Sequence, residues 1–186
     1  MSTFSAEEKK FLQETAKETI IKKTKKIWLS EEKIINLPRA LLEERGCFVT
    51  LHKNGNLRGC IGYILPITPL YKAVIENAYN AAYSDPRFPP VDPEELDDLD
   101  IEISVLTPPT RLSYNDKDDL LEKLSPGKDG VILRKGPFTS TFLPQVWEQL
   151  PDKEDFLNHL CLKAGLKHDE WKNSLLEVEI YRVEYF

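Results

Sequence analysis

Apolar positions recur along this chain with two different periods. From Ser5, which can cap a helix while Glu8 reaches back to it, a helical pattern runs to about Lys26, with Phe11, Leu12 and Ala16 on one narrow stripe. So narrow a stripe predicts a helix on the outside of the fold. Pro38 opens a short turn that continues to Arg45 and is stopped by Gly46. Residues 47–52 and 57–64 then flank Asn54-Gly55, the strongest short-range signal for a β-hairpin. Thr68-Pro69 starts a helix to near Tyr83 whose Leu70, Val74, Ala78, Ala81 and Ala82 share a face suited to packing on a sheet. The proline-rich loop 85–90 breaks the pattern, and Asp92-Pro93 caps a short turn.

In the second half, Ile101, Ile103 and Val105 alternate with Glu102 and Ser104, the two-residue period of a half-buried strand. Residues 116–124 predict a short acidic helix, and residues 131–134 and 138–142 flank Gly136-Pro137 as a second hairpin. Pro144 opens a helical turn. Asp152 caps a helix with Phe156, Leu157, Leu160, Cys161 and Ala164 in one arc, and Gly165 closes it. Residues 175–185 read as a strand that finishes a sheet by antiparallel pairing. Helices and hairpins are interspersed without strict βαβ alternation, which predicts an α+β fold with antiparallel sheets and packed helices.

Composition narrows the class. The 186 residues are 41% apolar and 30% charged, ordinary globular usage for a single domain with a real core. No window approaches a bilayer-spanning length and the acidic start lacks a signal-peptide pattern, so a cytoplasmic protein without a membrane partner is expected. The 25 Lys+Arg against 31 Asp+Glu leave a net charge of -6, which removes the simple electrostatic reason for nucleic-acid binding. Lys22, Lys23, Lys25 and Lys26, with Trp28 nearby, form the one basic run that an RNA-binding reading could use, and a solvated helix face explains it as well. Cys47, Cys60 and Cys161 are far apart and lack Cys-x-x-Cys spacing, so neither a disulfide framework nor a closed zinc site is expected. Asp97, Asp98 and Asp100 cluster without histidines at ligand spacing, and no Walker A, GxGxxG or HExxH string occurs, so no metal is assigned and the cofactor stays unknown.

Several blocks, in order, resemble one family: FVTL followed by LRGCIG, AAYSDPRFPPV, LDIEISVLTPP, GKDGVIL, TFLPQVWEQLP and FLNHLCLKAGL. They are similar to the AMMECR family, known in bacteria and archaea as AmmeMemoRadiSam system protein A, over residues 46–186. The resemblance implies two unequal α/β subdomains on antiparallel sheets, with the LRGCIG hairpin in a cleft they share. It implies no known reaction. It suggests a Memo-type protein and a radical SAM enzyme as partners.

The register of the first hairpin decides where Cys60 points. A two-residue turn sets Cys60 opposite Val49 and buries it. A three-residue turn through Asn56 sets Thr50 opposite Cys60 and His52 opposite Arg58, with Val49, Leu51, Leu57 and Ile61 together on the core face. The second register keeps apolar residues together and is preferred. Arg58 and His52 would then favour a thiolate at Cys60, although a free cysteine is as readily structural. Gly59 and Gly62 permit either ligand approach or tight packing. Asp85 and Arg87 either bind an anion through the planar guanidinium or pair to hold their loop. Lys128 and Asp129 offer opposite charges at a turn that they also suit structurally, and Gln145 sits at a helix start able to face an anion. His159 and Cys161 point about 200° apart on their helix and cannot share a metal.

The expected function is therefore the binding of a small anionic or polar molecule in a cleft around the LRGCIG hairpin. In an enzymatic form Cys60 is the nucleophile or thiol base, His52 is its base, and Arg58 or Arg87 holds the anionic substrate. In a non-catalytic form the same groove takes a partner's loop.

Overall fold

The computed structural model describes residues 3–23 and 36–186 and is an α+β fold with two four-stranded antiparallel sheets. The chain divides into two compact units, one comprising the residues through Pro108 with Glu184–Phe186, the other Pro109–Val183. Lys25, Lys26 and Trp28, on which the RNA reading depends, lie outside the described residues. Among the described residues no helix is long and apolar enough to cross a membrane.

In the first unit, α1 (Ala6–Lys22) opens with the expected capping box between Ser5 and Glu8. It ends at Lys22, short of the expected Lys26, because Lys23 takes a left-handed conformation (φ 49°) and its N–H bonds back to the Ile20 carbonyl. After a single turn, α2 (Arg39–Leu42), come β1 (Cys47–Lys53) and β2 (Asn56–Tyr63), then α3 (Leu70–Tyr83). A 3-10 turn, Pro93–Asp98, leads into β3 (Leu99–Leu106). The sheet has the order β2-β1-β3-β8, its last strand being β8 (Val183–Tyr185), so β2 is an edge strand. Leu70, Val74, Ala78, Ala81 and Ala82 of α3 are buried with Val49, Leu51 and Ile103 of the sheet, as the face of that helix predicts. Leu12, Ala16 and Ile20 of α1 join the same core.

The second unit holds β4 (Thr110–Arg111), α4 (Lys117–Lys123), β5 (Gly130–Lys135), β6 (Phe138–Phe142), α5 (Lys153–Lys163), α6 (Glu170–Asn173) and β7 (Glu177–Tyr181), with sheet order β4-β7-β5-β6. Its core packs Phe156, Leu157, Leu160 and Cys161 of α5 against Val131, Leu133 and Val178, with Trp147 stacked on Phe156 at 3.6 Å between ring centroids. The expected single strand over 175–185 is two strands. β7 lies in the second sheet and β8 in the first, with Arg182 between them.

Candidate functional site

The first hairpin combines features of both registers. Asn54 and Gly55 have φ of 51° and 77°, the left-handed pair of a two-residue turn, and Lys53 pairs with Asn56. Thr50 nevertheless pairs with Cys60, as the preferred register requires, because the ladder shifts by one residue between Leu51 and His52. Leu51 pairs with Gly59 and His52 with Leu57, so Arg58 is the extra residue of a β-bulge. Two expectations are thereby corrected. Arg58 does not stand opposite His52, and Leu57 is 43% exposed instead of belonging to the core. The bulge supplies the shift that was expected from a longer turn.

The bulge turns the Arg58 guanidinium toward the turn that precedes β3. There it meets Glu95 through two bonds, Nε to Oε1 at 3.1 Å and Nη2 to Oε2 at 2.8 Å. Its other donors go to the carbonyls of Pro89 (2.9 Å) and Pro90 (3.4 Å), and its side chain is only 11% exposed. Glu95 also takes the Lys53 ammonium at 3.0 Å and closes a capping box with Asp92. The Arg58 bonds, foremost, hold the Glu95 carboxyl well below the usual carboxylate range. Sequence reasoning overlooked Glu95, although Asp92-Pro93 followed by Glu95 is a legible capping box.

Cys60 has a different neighbourhood from the one expected. Its sulfur accepts a hydrogen bond from the Thr50 hydroxyl at 3.2 Å, and Thr50 is paired on its other side with Glu102 of β3. His52 pairs with Leu57 and with Asp100, and among the described residues no hydrogen bond joins it to Cys60. Cationic neighbours on the sheet face are thus replaced by a hydroxyl and carboxylates. The positive charge stands instead at the strand's outer edge. Asp85, with a side chain 1% exposed, accepts the Cys60 N–H at 2.9 Å and grips Arg87 through Nε at 2.9 Å and Nη2 at 2.7 Å. Arg87 Nη2 returns a bond of 3.1 Å to the Cys60 carbonyl. These contacts, the Arg87 side chain first, keep the Asp85 carboxyl far below its ordinary value despite burial.

Gly59 and Gly62 both serve close packing. A Cβ on Gly59 would lie 2.2 Å from the Ala81 carbonyl of α3, and one on Gly62 would lie 2.4 Å from the Phe48 ring. The remaining candidates, Lys128, Asp129 and Gln145, belong to the second unit. Lys128 and Gln145 are exposed. The Asp129 side chain is 1% exposed; Oδ2 accepts the Ser125 N–H at 2.8 Å, and Oδ1 has the Arg182 Nε at 3.5 Å but no hydrogen bond. Cys47 and Cys161 are wholly buried, and burial pushes the Cys47 thiol up to about 12. Among the described residues no group of three His, Cys, Asp or Glu side chains is arranged to hold a metal ion.

The AMMECR1 family model matches residues 9–186. A protein of Methanothermobacter thermautotrophicus is 48% identical over 80% of this chain and 77% of its own length. Another, from Methanopyrus kandleri, is 42% identical over 97% of this chain and 88% of its own. The crystal structure of an uncharacterized protein from Pyrococcus horikoshii superposes with a TM-score of 0.77 at 39% identity, covering 94% of this chain and 88% of that one.

Proposed function

The chain belongs to the AMMECR1 family, and from that premise we propose that its first unit binds a small anionic ligand, a carboxylate foremost, at the outer edge of β2. Arg87 contacts the anion and Cys60 lines the site. One observation carries the proposal. Arg87 spends Nε and Nη2 on Asp85 and Cys60, while its Nη1 hydrogens have no acceptor among the described residues and its side chain is 52% exposed. A planar cation fixed on one side and open on the other is pre-oriented for an oxyanion. Arg58 has no such freedom and is assigned to the fold.

Melting temperature tests this directly, since a ligand selective for the folded form stabilises it by mass action. Acetate, succinate and phosphate are titrated at constant ionic strength into the natural chain and into Arg87→Lys. A saturable rise for at least one anion, lost in the variant, is expected. No saturable rise in the natural chain, or the same rise in both, contradicts the proposal.

A second reading, thiol-dependent catalysis, is favoured by Cys60 being the partly exposed member of the three thiols. Once an anion is identified, unchanged turnover in Cys60→Ser eliminates it. Assignment to AmmeMemoRadiSam system protein A, in the cytoplasm with Memo-type and radical SAM partners, extends the proposal on the strength of LRGCIG and DPRF. Co-purification with those two proteins is the expected result, and separate elution at high protein concentration counts against it.

A further inference from the structure

The outer edge of β2 is covered over only part of its length. The loop between α3 and the 3-10 turn runs beside it, giving the carbonyls of Pro89 and Pro90 to Arg58, and Asp85 and Arg87 to the main chain of Cys60. Cys60 therefore directs both its N–H and its C=O away from β1. In an antiparallel pair this orientation repeats every second residue, so Gly62, paired with Phe48, also directs its N–H and C=O outward. Among the described residues nothing bonds to them. An unpaired edge of this kind is a template for another strand.

Arg87 decides what can be added. Its Nη2 bonds the Cys60 carbonyl, the acceptor that the N–H of the next residue of an added antiparallel strand would otherwise use. The guest chain cannot continue past that point. It must end there, beside the half-exposed guanidinium, about two residues or 6.7 Å from its pairing with Gly62. In an antiparallel guest the end pointing toward Cys60 is the C-terminus, whose carboxylate complements Arg87. Leu65 and Ile67, two and four residues past the end of β2, are 50% and 63% exposed, apolar surface that follows this edge in the chain.

We infer that the open edge of β2 captures the C-terminus of an extended, apolar peptide by strand addition, with two main-chain bonds to Gly62 and the terminal carboxylate on Arg87. The inference rests on the anion reading of Arg87 and names the class of molecule that carries the anion.

The test uses the full chain labelled with nitrogen-15 and an acetylated octapeptide of alternating valine and threonine, as the free acid and as the C-terminal amide. In the free protein the Gly62 amide hydrogen should exchange much faster than those of Ile61 and Tyr63. With saturating free acid its exchange should slow at least tenfold. The amide should bind about tenfold more weakly, the order expected for one charge-assisted hydrogen bond. Arg87→Gln should abolish the difference between acid and amide. If that variant fails to fold, the natural chain still decides, because unchanged Gly62 exchange with millimolar free acid, or equal binding of acid and amide, overturns the inference. Stabilisation by succinate that depends on Arg87, together with no peptide effect, overturns strand addition alone; failure of both experiments removes the anion reading too.

Discussion

Two arginines, one within β2 and one on the loop beside it, each grip a carboxylate with two donors, yet their surroundings give them different work. Arg58 sits on a bulge with four hydrogen bonds to Glu95, Pro89 and Pro90 and an 11% exposed side chain. Arg87 sits on a loop, is 52% exposed, and keeps its Nη1 hydrogens free of protein acceptors among the described residues. The Arg58 cluster ties hairpin, loop and 3-10 turn together. The Asp85–Arg87 pair fixes a cation in place while leaving part of it to solvent. A bidentate arginine–carboxylate pair is therefore no guide to function by itself; what matters is how many donors remain.

Mutations can break this comparison in order of expected effect. Glu95→Ala leaves Arg58 and Lys53 without their shared carboxylate in a partly buried place and should cost about 3 kcal/mol in denaturant unfolding. A loss under about 1 kcal/mol would show the cluster to be incidental. Asp85→Asn keeps the shape but removes the charge opposite Arg87, and should cost about 2 kcal/mol. Both carboxylates have folded-state values below their unfolded ones, so their stabilisation is complete above the ordinary carboxylate value of about 4 and fades as the pH falls through the lower folded values. Unfolding measured from pH 7 downward should lose stability below about pH 4 in the natural chain, and Asp85→Asn or Glu95→Gln should flatten that decline. Arg87→Lys keeps a cation beside Asp85 but loses the two-pronged grip, and should cost about 1 kcal/mol while removing anion-dependent stabilisation. A chemical probe sharpens the picture without a substitution: iodoacetamide on the folded chain should label Cys60 alone, with Cys47 and Cys161 reacting only after denaturation. Mass spectrometry of the labelled chain checks this.

Much of the architecture was legible because local chemistry and tertiary packing agree. The α3 face, the β3 alternation, the Asp152 cap and the second hairpin all carry period and punctuation together. The first hairpin was half legible. Apolar alignment of Val49, Leu51 and Ile61 gave the Thr50–Cys60 pairing, whereas the bulge that reconciles it with Asn54-Gly55 depends on where the Arg58 side chain finds its partners, some 31 to 37 residues away. The division of residues 175–185 between two sheets was hidden for a related reason, since strand propensity says nothing about which neighbour a strand chooses. Within the candidate site, Asp85 and Arg87 could be named from a rigid loop with a planar cation. Their grip on the Cys60 main chain, and the carboxylates facing that row, come from pairings no local pattern encodes.

The difference between the two arginines can be read from their own guanidinium nitrogens. Nitrogen-15 spectra of the arginine side chains, recorded while succinate is added at constant ionic strength, should show saturable movement of the Arg87 signals with those of Arg58 unmoved. Saturation at Arg58, or no response from either, would contradict the account.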